Sequence, residues 1–296
     1  MATLRELKGR IGSVGSSEKI TGAMKMISSA KMHKAEGILR RLSPFRDCVQ
    51  GIIGNLLSSD AVVSSPLTEE RQAVKHVTVV ALGSDDGLCG AYNVNIFKGL
   101  LSTIARLRQE CGDDVAIDLV PVGKKLAKSV VKLAASDPRL TCTEIAGVDS
   151  KSDGEAIKSF AETFQTRFLD SDTDRVELLY VHFFSAGRQR LVDDGYLPIS
   201  ASKLNTQGNA GGRPYLFEPD AATIFRTVLP MFLLSQMQEA FAQNRASEQA
   251  ARVMAMQSAN DNAQKLLEQL QLEYNKLRQQ SITTELLDII GGQVKR

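Results

Sequence analysis

The chain has 296 residues, 43% of them hydrophobic and 24% charged, with 36 Lys/Arg against 34 Asp/Glu for a net charge of +2. That length exceeds the roughly 100–200 residues of one domain, so two structural units with a real core are expected; no apolar run approaches the roughly 18 residues of a bilayer span, which excludes a transmembrane helix. The start MATLRELKGRIGSV has neither the apolar centre of a secretory signal nor the composition of a transit peptide, and the expectation is an intracellular chain.

Charge is unevenly spread. Residues 1–46 hold ten Lys/Arg against three Glu, an excess of +7, whereas residues 231–296 hold seven of each sign. From Thr3 to about Ser43 the sequence is helix-compatible: Leu4, Leu7, Ile11 and Val14 form an apolar stripe that slips in register and resumes at Ile20, Met24 and Ile27. Gly9, Gly12, Gly15 and Gly22 weaken this helix by about 1 kcal/mol each, so it needs a partner helix. Pro44 marks a kink or an end, and SSDAVVSSPLTEE follows as a loop.

From His76 to about Ser200 the period changes. HVTVVAL, VAIDLVPVG and RVELLYVHFF have strand character and alternate with helical VNIFKGLLSTIARLRQE, KKLAKSVVKLAA and GEAIKSFAETFQTRFL, the last with Asp153 as N-cap. Such alternation implies a mainly parallel sheet covered by helices. NTQGNAGG closes the unit as a loop, and from about Pro230 to Ile290 runs the longest uninterrupted helical stretch, Gly-free until Gly291 and Gly292. Met256, Ala259, Ala263, Leu266, Leu270, Tyr274 and Leu277 make a near-heptad seam. The expected fold is α/β: a long antiparallel coiled coil of the N- and C-terminal helices with an inserted Rossmann-like α/β domain. The expected division is 1–57 for the N-terminal helix, 75–205 for the α/β domain and 214–292 for the C-terminal helix.

Candidate chemistry centres on the strand-to-helix loop GSDDGLCGAYN, residues 83–93. As an enzyme, Cys89 would be a nucleophile with Asp85 or Asp86 and a distant His182. The competing reading makes Gly83, Gly87 and Gly90 the positive-φ residues of a tight turn and Cys89 a small buried side chain. Cys48, Cys89, Cys111 and Cys142 form no CxxC pair, and three His leave no zinc-type cluster, so free thiols and no structural metal are expected. GxxxxGK[ST] and GxGxxG are both absent, which argues against a bound nucleotide or other cofactor. Residues 1–44 contain no aromatic side chain for base stacking, against nucleic acid, and the thin Gly-broken stripe argues against direct membrane binding. The bland reading of Met24, Met26 and Met32 is core filling beside a solvated lysine face.

Three motifs then converge. ITGAMKMISSAKMHKAE, SDDGLCGAYN and ASEQAARVMAMQSANDNAQKL…LEYNKLRQQSITTELLDIIGG resemble the signatures of the gamma-subunit family of F-type ATP synthases. The resemblance implies a non-catalytic rotor shaft that couples proton flow through a membrane c ring to the catalytic beta subunits by turning within the alpha/beta hexamer, three of each around one shaft. It further implies an epsilon partner, membrane contact only through partners, and a peripheral place on the cytoplasmic face of the bacterial inner membrane. Carried over by position, Met24, Lys25, Arg252, Arg278, Gln279 and Thr283 resemble residues meeting alpha and beta. Tyr92, Tyr215, Phe217 and Glu218 resemble the foot that meets the c ring and epsilon. Asp86 and Ala91 depart from the usual basic residue and Gly, and no closely spaced Cys pair is present for a thiol switch.

Overall fold

A computed structural model describes residues 3–57, 64–71, 73–200 and 217–293, with side chains given up to residue 290. Its elements in chain order are α1 (Leu4–Leu57), a 3-10 turn (Pro66–Thr68), β1 (His76–Leu82), α2 (Tyr92–Cys111), β2 (Ala116–Val122), α3 (Lys124–Ser136), β3 (Leu140–Cys142), α4 (Gly154–Leu169), β4 (Arg175–Ser185), β5 (Arg188–Leu197) and α5 (Ala221–Gln293). Two compact units result, one of residues 1–29 with 252–296 and one of residues 30–251. Among the described residues no helix is long and apolar enough to cross a membrane.

The first unit is an antiparallel helix pair. Thr21 Oγ1 lies 3.3 Å from Asn260 Oδ1, and a Cβ at Gly15 would lie 3.9 Å from Leu267, so positions rise along α1 as they fall along α5. On α1 the inward-facing positions follow one unbroken heptad: Leu4, Leu7, Ile11, Val14, Glu18, Thr21, Lys25 and Ser28 are each buried or half-buried. The expected register slip does not occur. Ile20 and Ile27, assigned to the stripe from their hydrophobicity, are 59% and 56% exposed, because keeping a 3.5-residue period takes precedence over burying every apolar side chain. On α5 the same spacing runs through Met256, Asn260, Ala263, Leu267, Leu270, Tyr274, Leu277 and Ser281, all at least half-buried. Asn260 and Leu267 therefore stand where Ala259 and Leu266 were expected, and Leu266 faces out.

Both long helices pass through a proline. α1 continues beyond Pro44 to Leu57 and α5 includes Pro230, although an internal proline costs a helix about 3 kcal/mol. The residues after Pro44 explain the persistence: Val49, Ile53 and Leu56 are buried in the core of the second unit, so tertiary packing holds the helix where propensity would break it. α5 starts nine residues before Pro230 because Asp220 caps it, accepting from the Thr223 N–H at 2.8 Å and the Thr223 hydroxyl at 2.7 Å.

The second unit carries a five-stranded sheet of order β3-β2-β1-β4-β5, parallel except for β5, which pairs antiparallel with β4. β3 and β5 were not anticipated: one has three residues, and the other, RQRLVDDGYL, is an edge strand rich in charge. Alternation along the strands divides the core. Val77, Val79, Ala81, Ile117, Leu119, Leu179 and Val181 pack with α2 and α3 on one face; Val80, Leu82, Val120, Val122, Val176 and Leu178 pack on the other with α4, the last turns of α1 and the first half of α5. α4 begins at Gly154 as expected, but the Asp153 side chain makes no capping hydrogen bond. The expected loop at NTQGNAGG, and most of SSDAVVSS, fall outside the described residues.

Two measurements test this arrangement. Leu267→Ala should lower the stability of the helix pair by roughly 1–2 kcal/mol while Leu266→Ala stays within about 0.5 kcal/mol, read by thermal unfolding of the full chain; equal effects would reject the seam. Gly123 and Gly112 both have positive φ, at 103° and 98°, but a Cβ at Gly123 would lie 2.9 Å from Ser84 backbone atoms while Gly112 faces open space. Gly112→Ala should therefore cost only the conformational strain of about 1–2 kcal/mol, and Gly123→Ala clearly more.

Candidate functional site

The 83–93 loop is built as a knot of hydrogen bonds. Asn93, in the first turn of α2, accepts from the Ser84 N–H at 3.1 Å and donates to Ser84 Oγ at 2.7 Å. Ser84 Oγ in turn donates to the Asp86 carbonyl at 2.9 Å. Cys89 is 3% exposed, with its sulfur 3.7 Å from Ser84 Oγ and 3.6 Å from Asn93 Nδ2, both neutral groups. Leu88 at φ 64° and Gly90 at φ 61° take the positive-φ positions, so Leu88 does what was expected of Gly83 and Gly87. Gly83 is required for space instead, since a Cβ there would lie 2.6 Å from the Leu126 Cβ.

The two aspartates are occupied. Asp85 accepts from the Lys124 N–H at 3.0 Å and from the Ser150 N–H and hydroxyl at 2.9 and 2.7 Å. Burial pushes its carboxyl up, but these hydrogen bonds, the Ser150 hydroxyl foremost, outweigh it and hold it below its ordinary range. Asp86 pairs with Lys151 at 2.9 Å on the surface. His182 lies on β4 with its ring 4.4 Å from Phe184 and its Nε2 3.5 Å from Gln243, not against the thiol. Cys89 thus has no oriented base, and the loop is not assembled as a nucleophile site. Among the described residues no cluster of three or more His, Cys, Asp or Glu is arranged to hold a metal ion.

The loop's work is to fasten α5 to the sheet. Tyr92, expected on the foot surface, is 5% exposed; its hydroxyl lies 2.7 Å from Asn244 Oδ1 and 2.9 Å from the Asn244 carbonyl, while Asn244 Nδ2 donates to the Gly83 carbonyl at 2.9 Å. Its side chain faces inward, and Asp86, Leu88, Gly90 and Ala91 are the exposed members of the loop. Phe217 packs partly against the core, Glu218 is exposed, and Tyr215 falls outside the described residues.

On the helix pair, Met24 and Lys25 are half-buried, and the Thr21–Asn260 register carried one turn along sets Lys25 opposite Met256. Arg252 is 6% exposed. Arg278, Gln279 and Thr283 all face outward, with the Thr283 hydroxyl donating to the Gln279 carbonyl at 2.9 Å. Ile282 beside them and Leu286, Leu287, Ile289 and Ile290 beyond them are exposed, joined on α1 by Ile20, Met26 and Ile27. Reading Ile20 and Ile27 as core hid this outward face from the sequence; the unbroken heptad beginning at Leu4 was the signal that could have shown it. A surface this apolar on a helix pair is suited to contact with other proteins rather than to chemistry.

Comparison with known proteins adds identity to this geometry. The family model described as ATP synthase matches residues 3–294. An ATP synthase gamma chain of Bacteroides fragilis is 42% identical over 296 residues, covering 99% of this chain and 100% of the relative. One from Bacteroides thetaiotaomicron is 40% identical over 305 residues, covering all of both. The fold is also that of a chain in the cryo-EM structure of the Euglena gracilis mitochondrial ATP synthase OSCP/F1/c-ring assembly, at TM-score 0.65 and 18% identity over 98% of this chain and 93% of that one. Matched end to end by relatives at these identities, the chain belongs to the ATP synthase gamma-chain family.

Proposed function

We propose that this chain is the central rotor shaft of a proton-translocating ATP synthase, with no catalytic site of its own. The observation that carries the reading is the full-length match to ATP synthase gamma chains at 42% identity. In this role three alpha and three beta subunits surround one copy, a membrane c ring and an epsilon subunit engage its foot, and it associates peripherally with the cytoplasmic face of the bacterial inner membrane through those partners.

The physical demands of the role fit the residues. A shaft must bias each catalytic subunit toward a different affinity without being trapped, which requires differential contact and not tight contact. The exposed apolar residues from Ile282 to Ile290 supply non-directional contact to a surrounding bearing. Met24, Lys25, Arg278, Gln279 and Thr283 are our proposed contacts with alpha and beta, and Phe217, Glu218 and Tyr215 with the foot partners; Arg252, at 6% exposure, is buried within the chain and is not kept among the contacts. Tyr92 contributes there by holding the loop in shape from within. The +7 excess of residues 1–46 favours acidic partner surfaces by steering and by modest rim pairing.

Co-expression with alpha and beta subunits from the same source tests the reading. One complex containing all three chains, with ATPase activity that depends on this one, is the expected outcome; separate elution with unchanged ATPase would reject it. Coupling is tested at Lys25. Because Lys25 is half-buried in the seam, Lys25→Gln removes the charge while retaining the stem that packs there. Proton-driven ATP synthesis should fall several-fold while the yield of assembled complex holds, and an equal loss of both would assign Lys25 to packing alone.

A further inference from the structure

Glu177, the third residue of β4, is 1% exposed yet surrounded by charge. Its register neighbours, Val79 on β1 and Gly195 on β5, bring none. The charges come from Arg106 and Glu110 on α2, Arg175 on β4 and Asp193 on β5. Arg106 reaches Glu177 Oε2 at 2.5 Å, Asp193 Oδ2 at 2.8 Å and Glu110 Oε1 at 2.9 Å. Arg175 bonds Glu110 Oε2 at 3.0 Å; it also comes within 2.6 Å of Glu177 Oε1, but without the alignment of a hydrogen bond, leaving that buried oxygen with no donor. The Thr103 hydroxyl donates to Asp193 at 2.5 Å.

Three carboxylates here share two guanidiniums. Fully ionised, the cluster would carry one negative charge in excess, and its buried member, Glu177, has an oxygen that accepts no hydrogen bond, so Glu177 is the carboxyl for which taking a proton relieves most. Two like charges on adjacent strands relieve each other in the same way. We propose that Glu177 carries a proton beside the Asp193 carboxylate, and that this proton operates a latch fastening the β4–β5 hairpin to α2. With the proton in place Glu177 is joined to Asp193 by a hydrogen bond and Arg106 spans α2, β4 and β5; once it leaves, two carboxylates face each other, Glu177 buried and Asp193 at the exposed edge, and the edge strand is pushed from its neighbour. The latch belongs to the α/β unit alone and does not depend on the rotor role.

Burial first, then the Asp193 charge, push the Glu177 carboxyl from 4.5 up to about 7, against the pull of Arg175 and Arg106. The sign follows by linkage. A carboxyl raised in the folded state binds more protons folded than unfolded between those values, so its stabilising contribution is full below about 4.5 and is lost as pH rises through about 7. The responsive range is therefore the neutral one.

Hydrogen exchange of the full-length chain, corrected for intrinsic rates, tests the latch. Amides of Arg188–Leu197 should exchange several-fold more slowly at about pH 6 than at about pH 8. Glu177→Gln, which mimics the protonated form, should keep them slow throughout, and Asp193→Asn should move the step to lower pH. The same pH dependence in wild type and Glu177→Gln would overturn the proposal. A second measurement needs no variant: in the wild-type chain with carboxyl-labelled glutamate, one carbon signal should titrate between about pH 6 and 8, and the absence of any such signal would overturn the proposal equally.

Discussion

The seven-residue spacing of the two-helix seam is the constraint on which the first unit depends. Once Leu4, Leu7, Ile11 and Val14 fix the face of α1 toward its partner, each later seam position follows by arithmetic, whatever residue occupies it. Glu18, Thr21, Lys25 and Ser28 consequently lie inward, and Ile20, Met26 and Ile27 lie outward. Leu4, Leu7, Ile11 and Val14 of α1 are apolar, whereas the next four α1 positions add polar groups that gain little by burial. A pair of this kind holds its helices together at one end and leaves the stretch around Thr21 and Asn260 comparatively soft. The side chains it leaves outside are those that any surrounding protein would meet.

The same two helices enter the α/β unit under different rules. There the requirement is to cover one sheet face, and α5 does so with Phe225, Leu229, Phe232, Leu233, Met237 and Phe241 at helical spacing. It also finishes the sheet. Beyond Leu179, β4 has no β1 partner on that side, and α5 side chains fill in: Gln243 accepts from the Phe183 N–H and Ser247 donates to the Val181 carbonyl, both at 2.9 Å. Tyr92 and Asn244 close the other end of this contact. Polar residues of α5 thus satisfy backbone groups that a further strand would otherwise have bonded.

Much of this was legible in sequence because the signals were strong. HVTVVAL coincides with β1 and GEAIKSFAETFQTRFL with α4, where periodicity and flanking residues agree. The antiparallel pairing of the chain ends followed from a Gly-weakened helix that needs a mate and a long helix that no small domain could bury. What failed did so for identifiable reasons. Ile20 and Ile27 were assigned by hydrophobicity when phase decided; Pro44 and Pro230 were weighted as breaks although packing on both sides outweighs them. β5 lacked the alternation of a half-buried strand because its charges serve the edge and the Glu177 cluster. Tyr92 lay within a correctly chosen motif, but only coordinates could tell a side chain that holds a loop from one that meets a partner.

The two units treat buried polarity in opposite ways, and exposure explains the difference. Along the seam Glu18, Thr21 and Lys25 are only half-buried, and the Thr21 hydroxyl also lies 3.0 and 2.9 Å from the Ser17 and Glu18 carbonyls, so it has an acceptor with or without Asn260. Such a layer adds little stability and tolerates adjustment. Glu177 has no such recourse, since water is excluded and its neighbours are charged; the cluster must balance its charge internally or take up a proton. A sheet edge clamped by that balance is firm while the proton stays and yields when it leaves. Softness in the helix pair is therefore built into its geometry, whereas softness in the α/β unit is conditional on the proton activity around it.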